Sequence, residues 1–330
     1  MRPFKFERAD DAASAVAAVR GDASAAYVAG GSNILDLMKE DVARPTRLVD
    51  ISRLRFAQIR SVPGGISIGA LATNSDTANH PLVRQNYPLL TRAILAGASG
   101  QIRNMATNGG NLNQRTRCPY FYEVSMPCNK REPGSGCGAL EGINRNHAIF
   151  GWSEKCVAVF PSDMSVALAA LDAVVKVHGT DGKARSVPIR DYHRLPGDKP
   201  EMENTLAHGE LVTEIEIPKN NFADRSHYLK VRDRASYAFA LVSVAAALEI
   251  RGNNIVAARI ALGGVAHKPW RAFEAEKALK GKPASDDIFR LAAEAEMRSA
   301  KPLEHNKFKV ELGRRAIARA LRLAMNGGRS

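Results

Sequence analysis

Long apolar runs are missing from this chain. No stretch approaches the ~20 apolar residues needed to cross a bilayer, so membrane insertion is not expected. The opening residues, Met1-Arg2-Pro3-Phe4-Lys5-Phe6-Glu7, lack the apolar segment of a signal peptide. The expectation is a chain made in the cytoplasm that depends on a partner's signal for any export. Aromatic residues are scarce at 6%, and no helix-turn-helix, zinc-finger or RNA-binding signature is present. The net charge of +13 is dispersed, so nucleic acid is not expected as a partner. A basic surface docking on an acidic partner subunit accounts for the same excess. Neither G-x-G-x-x-G nor Gly-Lys-Ser/Thr occurs, which excludes a Rossmann fingerprint and a P-loop. The eight histidines are scattered, and no Ser/His/Asp or paired-carboxylate arrangement calls for hydrolysis.

With 330 residues, the chain exceeds one average core and implies two domains. Apolar spacing predicts a helix over residues 10–20, with Asp10 as its N-cap and Gly21 as its stop. A buried strand over 25–29 passes through Gly30-Gly31-Ser32-Asn33 into a helix over 34–39. Strands follow at 47–51 and 65–68, then a helix over 81–98 interrupted at Pro88. Residues 165–171 read as helix and 173–178 as strand. The best domain boundary is Pro218-Lys219-Asn220-Asn221, giving residues 1–221 and 222–330. Beyond it, strands over 247–251 and 255–262 are joined through Gly252-Asn253-Asn254. Helices over 269–280, 286–298 and 306–325 complete an α/β or α+β chain.

Two glycine-rich turns and four cysteines carry the chemistry. Glycines in Ala29-Gly30-Gly31-Ser32-Asn33 and in Thr107-Asn108-Gly109-Gly110-Asn111-Leu112 let backbone approach a ligand closely. Two such turns suit the two ends of one extended dinucleotide; taken singly, each is equally a tight turn. Residues 113–156 form a long irregular segment that holds every cysteine. Cys118, Cys128, Cys137 and Cys156 are separated by nine, eight and eighteen residues. Four thiols complete the ligand set of a [4Fe–4S] cluster, and they suit zinc equally in number. No C-x₂-C pair of the usual structural zinc kind occurs. Two disulfides or free thiols also match the count, and the spacing does not choose among the four readings. His147, inside the segment, could replace a cysteine as ligand, but with four thiols available it reads as a loop histidine.

In combination and order, these motifs resemble the FAD-binding subunit of xanthine dehydrogenase-family molybdenum hydroxylases. The resemblance spans essentially the whole chain. It covers both Gly-Gly turns, Pro161-Ser162-Asp163, Tyr228-Leu229-Lys230 and Ala261-Leu262-Gly263-Gly264-Val265-Ala266. The implied fold is a PCMH/VAO-type FAD-binding domain of two subdomains, followed by a CO dehydrogenase flavoprotein-like α+β domain. The implied FAD contacts are Val28, Ala29, Gly30, Gly31, Ser32, Asn33, Leu35, Thr107, Gly109, Gly110, Asn111, Asp163 and Lys230. Asp163, which precedes a helix, is alternatively an ordinary N-cap, and Lys230 a surface lysine.

Most members of the family lack the cysteine-bearing insertion. With it, the chain resembles the flavin subunit of bacterial periplasmic aldehyde oxidoreductase, notably in Arg117-Cys118-Pro119-Tyr120-Phe121-Tyr122 and in residues 127–137. That resemblance implies a [4Fe–4S] cluster on Cys118, Cys128, Cys137 and Cys156. It also implies a large molybdenum–pterin subunit and a small [2Fe–2S] subunit as partners, electron transfer through FAD to an external acceptor, and a periplasmic complex exported on a partner's signal. The alternatives are a flavin subunit of a xanthine dehydrogenase or 4-hydroxybenzoyl-CoA reductase-type enzyme, and a non-catalytic zinc-binding interaction module.

Overall fold

The structure, a computed structural model, describes residues 1–327. Its first helix, Ala12–Arg20, starts where the Asp11 carboxylate accepts the Ser14 N–H and the Ser14 hydroxyl returns to the Asp11 backbone. This reciprocal pairing places the N-cap at Asp11, one residue beyond the expected Asp10. The helix covers a small parallel sheet made of β1 (Lys5–Arg8), β2 (Ala25–Val28) and β3 (Arg47–Asp50), with β3 central.

A five-stranded antiparallel sheet follows. Its strands are β4 (Ile59–Val62), β5 (Gly65–Gly69), β6 (Val174–His178), β7 (Ala184–Pro188) and β8 (Leu211–Pro218), in the order β4-β5-β8-β6-β7. Because β8 lies between β5 and β6, it draws together segments far apart in sequence. Along the chain, the stretch from β5 to β6 includes the helices Pro81–Asn86 and Pro88–Ala96. Pro88 stands at the first position of the second, where its missing N–H costs nothing.

The third sheet runs in chain order: β9 (Ser226–Val231), β10 (Val242–Arg251), β11 (Asn254–Gly263) and β12 (Trp270–Arg271). Gly252, at φ +60°, supplies the left-handed residue of the β10–β11 turn. Both faces of the sheet are covered. Ala245, Ala247 and Ala261 face the helix Asp163–Ala170 and the core behind it, whereas Val244, Ala246, Leu248 and Ile260 face the helices Phe273–Leu279, Asp286–Met297 and Phe308–Met325. The expected helix over 269–280 therefore begins as strand, because Trp270 and Arg271 pair with Leu262 and Ala261. The mixed α/β architecture expected from the sequence is present.

Residues 113–156 contain only two short helices, Pro119–Tyr122 and Gly138–Glu141, beyond the end of Asn108–Leu112. Side chains do the work that a ladder would do elsewhere. Asn129 accepts from the Gly134 and Gly136 amides and donates to the Lys155 carbonyl. The Arg131 guanidinium gathers the carbonyls of Tyr120, Phe121, Val124 and Met126. The segment docks on the third sheet through Ile149 and Phe150, whose amides reach the Val265 carbonyl.

Candidate cofactor pocket and cysteine cluster

A cavity of about 680 Å³ opens between the first Gly-Gly turn, the second, the start of the helix Asp163–Ala170 and strand β9. Six of the expected contact residues line it: Ser32, Asn33, Gly110, Asn111, Asp163 and Lys230. The remaining expected residues shape the walls behind it. Gly30 admits no side chain, since a Cβ there would stand 1.7 Å from the Met105 carbonyl oxygen. Gly31 adopts φ +70°. Val28 packs with Met38 and Leu48, and Ala29 and Leu35 also lie outside the cavity lining. Thr107 caps the helix Asn108–Leu112 by accepting the Gly110 N–H at 3.2 Å, and the Gly109 N–H is spent on the Ala70 carbonyl at 2.7 Å.

The cavity suits a large phosphate-bearing ligand. The Asn33 amide fixes its oxygen on the Arg115 N–H at 2.9 Å, which leaves Nδ2 buried with no partner in the protein. An unpartnered buried donor on a residue that lines a cavity is a candidate ligand contact. Arg103, Arg117 and Arg234 add positive charge to the walls, and Asn74 and Gln114 add amides. These five were not singled out from the sequence, because an isolated Arg, Asn or Gln carries no local signal.

Asn111 holds the second turn to the rest of the pocket. Its Nδ2 donates to Asn74 at 2.7 Å, and its Oδ1 accepts from Ser162 at 2.6 Å and from Gln114 at 2.9 Å. Ser162 is also the N-cap of Asp163–Ala170, accepting the Ser165 N–H at 3.0 Å. Asp163 is thus the first helical residue and not the cap. Its carboxylate accepts from Lys230 Nζ at 2.7 Å and from the Tyr228 hydroxyl at 2.6 Å. Lys230 and Asp163 are only 5% and 9% exposed, so the pair is a buried one. Burial and the Asp163 carboxylate push the Tyr228 phenol well above its usual range, keeping it a donor.

The four cysteines converge although they are spread through an irregular segment. All line one small pocket beside Tyr120, Lys130 and Ala158. Cys128 and Cys137 lie on adjacent backbones. None is in a disulfide. The neighbouring Cys156 thiol and the backbone amides of Val157, Ala139 and Leu140 hold the Cys137 thiol down at about 6, even against burial. Cys156, buried beside Cys137, is pushed up; burial pushes Cys118 up to about 12.

Among the described residues, no three His, Cys, Asp or Glu side chains are close enough to share a single metal ion. The pocket that the four thiols line is small, about 10 Å³. The donor set itself, four thiols around one pocket, fits a four-iron cluster.

A second cavity, of about 200 Å³, shares Arg117, Pro161, Ser162, Asp163 and Phe239 with the large one and also reaches Cys118 and His147. The cysteine cluster and the large cavity are therefore neighbours.

The sequence profile described as FAD binding domain in molybdopterin dehydrogenase matches residues 2–220, and that of the CO dehydrogenase flavoprotein C-terminal domain matches residues 227–324. The aldehyde oxidoreductase FAD-binding subunit PaoB of Escherichia coli (strain K12) is 47% identical, over 97% of this chain and 98% of that protein. The glyceraldehyde dehydrogenase medium chain of Sulfolobus acidocaldarius is 29% identical over 92% of this chain and 90% of its own. A chain of the Cu,Mo-CO dehydrogenase crystal structure superimposes with a TM-score of 0.78 at 25% identity, covering 99% of this chain and 100% of that one. No helix among the described residues is long and apolar enough to cross a membrane. The chain belongs to the FAD-binding subunits of the molybdenum hydroxylases, a family of oxidoreductases.

Proposed function

We propose that this chain is the electron-transfer subunit of a molybdenum aldehyde oxidoreductase and carries both FAD and a [4Fe–4S] cluster. The observation that carries the reading is the meeting of two separate groups of residues. Both Gly-Gly turns, Asp163 and Lys230 face one cavity, and the four cysteines line a pocket next to it. The aldehyde substrate rests on the similarity to PaoB. The oxidation itself belongs to a large molybdenum–pterin subunit, and a small [2Fe–2S] subunit stands between it and this chain. Location in the periplasm, as part of a complex exported on a partner's signal, completes the proposal.

FAD supplies a carrier that takes electrons singly and releases them in pairs to an external acceptor. The chain's own residues bind and orient it. The unpartnered Asn33 Nδ2 is available to a phosphate or ribityl oxygen, and Gly30 lets the first turn pack against the Met105 backbone. Lys230 places a positive charge in the wall, held in position by Asp163. Cys118, Cys128, Cys137 and Cys156 would hold the cluster iron as thiolates.

Cys128→Ser in the whole complex tests the assignment. The expected result is loss of the [4Fe–4S] iron and its spectrum, with FAD and the [2Fe–2S] signals retained. Unchanged iron content removes these cysteines as ligands.

A further inference from the structure

Two buried histidines address the cysteine cluster, one from within the segment and one from the C-terminal part of the chain. His147 Nε2 lies 3.1 Å from Cys118 Sγ, and His267 Nε2 lies 3.2 Å from Cys156 Sγ. Both residues are under a tenth exposed. In each ring Nδ1 is buried and has no hydrogen-bond partner in the protein. A neutral imidazole carries one ring proton. With no acceptor near Nδ1, the favoured position for that proton is Nε2, where sulfur accepts it.

The backbone of His147 is fixed from the start of the C-terminal helix and from its own segment. Its carbonyl accepts from Asn306 Nδ2 at 3.2 Å and from Lys309 Nζ at 3.0 Å, and its N–H reaches the Asn144 carbonyl at 3.1 Å. His267 follows β11 directly, after the turn through Gly264 at φ +72°. Neither imidazole is required to complete the ligand set, since four thiols are already present.

We propose that His147 and His267 each donate an N–H···S hydrogen bond to a cluster thiolate, and that these bonds raise the reduction potential of the cluster. The inference rests on the reading of the four cysteines as [4Fe–4S] ligands. A hydrogen bond to a ligating sulfur draws negative charge from it. The reduced cluster carries one more electron, gains more from that withdrawal and is stabilised over the oxidised form. Both residues are positioning and tuning groups, and neither replaces a thiolate.

The test is an EPR-monitored redox titration of the anaerobically purified complex, with iron and acid-labile sulfide counted first. A native complex without the cluster iron defeats the ligand reading, and the present inference with it, before any histidine is changed. With the cluster present, His147→Leu and His267→Leu are expected to move its midpoint to more negative potential, and the double variant further. His147→Gln, which keeps an N–H at similar reach, is expected to restore part of the shift. An unmoved midpoint in both Leu variants at full iron content overturns the inference and leaves the ligands standing.

A second readout needs no variant. In the native complex labelled with ¹⁵N-histidine, ENDOR is expected to show the weak nitrogen coupling of a hydrogen-bonded ring. Strong coupling, as from a directly ligated nitrogen, or no coupling at all overturns it.

Discussion

Asn111 ties three parts of the cofactor pocket together through one side-chain amide. Its partners Asn74, Ser162 and Gln114 come from three different segments, so truncation strands several polar groups at once. Each unsatisfied buried group costs about 1–3 kcal/mol. Asn111→Ala is therefore expected to weaken FAD retention by roughly tenfold or more, measured as flavin released on dilution. Lys230 and Asp163 behave as a unit in the same wall. Removing one partner of a buried pair leaves the other charge uncompensated, at a cost of about 3 kcal/mol or more. Lys230→Met should lower the unfolding midpoint and the flavin content together, and the double change with Asp163→Asn should recover part of the stability. If the double variant is no better than the single one, the pair is not coupled. The sequence names Asp163 and Lys230 but cannot join them: 67 positions separate the two, and only the packing of β9 against the helix Asp163–Ala170 brings them within 2.7 Å. Asn33, which lines the cavity, was named because a Gly-Gly-Ser-Asn turn is a local pattern.

Elements with one exposed face were read from the sequence more fully than those buried on both. The helices Ile34–Lys39 and Asp286–Met297 show helical apolar spacing and clear ends. Strand β10 does not alternate, because one of its faces meets the Asp163–Ala170 side and the other the C-terminal helices. Its Ala-rich first half, Val242 to Ala246, consequently gave no strand signal. Strands β1 and β4 were missed for the opposite reason, being short, mostly polar and half exposed. The cysteine segment was legible as irregular, yet its anchoring was not. Glu203 accepts from Arg115 at 2.7 Å and from Lys130 at 2.8 Å, clamping the segment to the loop before β8. Burial acts to raise the Glu203 carboxyl, but the two cations outweigh it and hold it below the usual carboxylate range. A depressed carboxyl contributes stability fully present above its unfolded value of ~4.3 and lost as pH falls through its folded value. Glu203→Gln should cost on the order of 2 kcal/mol at neutral pH, with the gap from the native protein closing below about pH 4. Urea unfolding at the two pH values measures this; a gap independent of pH would contradict it.

Across the whole molecule, the C-terminal helix Phe308–Met325 reaches back to the cysteine segment through a fully buried lysine. Lys309 Nζ donates to the Gly264 carbonyl at 2.8 Å and to the His147 carbonyl at 3.0 Å. Burial, together with the nearby Arg145 charge, pushes the ammonium from its ordinary ~10.4 down to about 7. Between those values the unfolded chain binds a proton that the folded chain does not, so this group makes stability rise with pH across that window. Lys309→Met should flatten the rise between pH 7 and 10, read from unfolding midpoints at several pH values. An unchanged slope would show that the lysine stays charged where it is. The mixed α/β content was legible at this scale from apolar spacing along the chain. The way the cysteine segment and the C-terminal part share one interface was not, since it depends on contacts more than a hundred residues apart.

The central claim is that one chain holds FAD and a four-iron cluster side by side. Its most direct test is the FAD, iron and sulfide content of the anaerobically purified complex, with the iron of the small subunit determined separately. One FAD and four irons assigned to this chain are the expected result. Zinc in place of iron, or an iron count accounted for wholly by the small subunit, would contradict it.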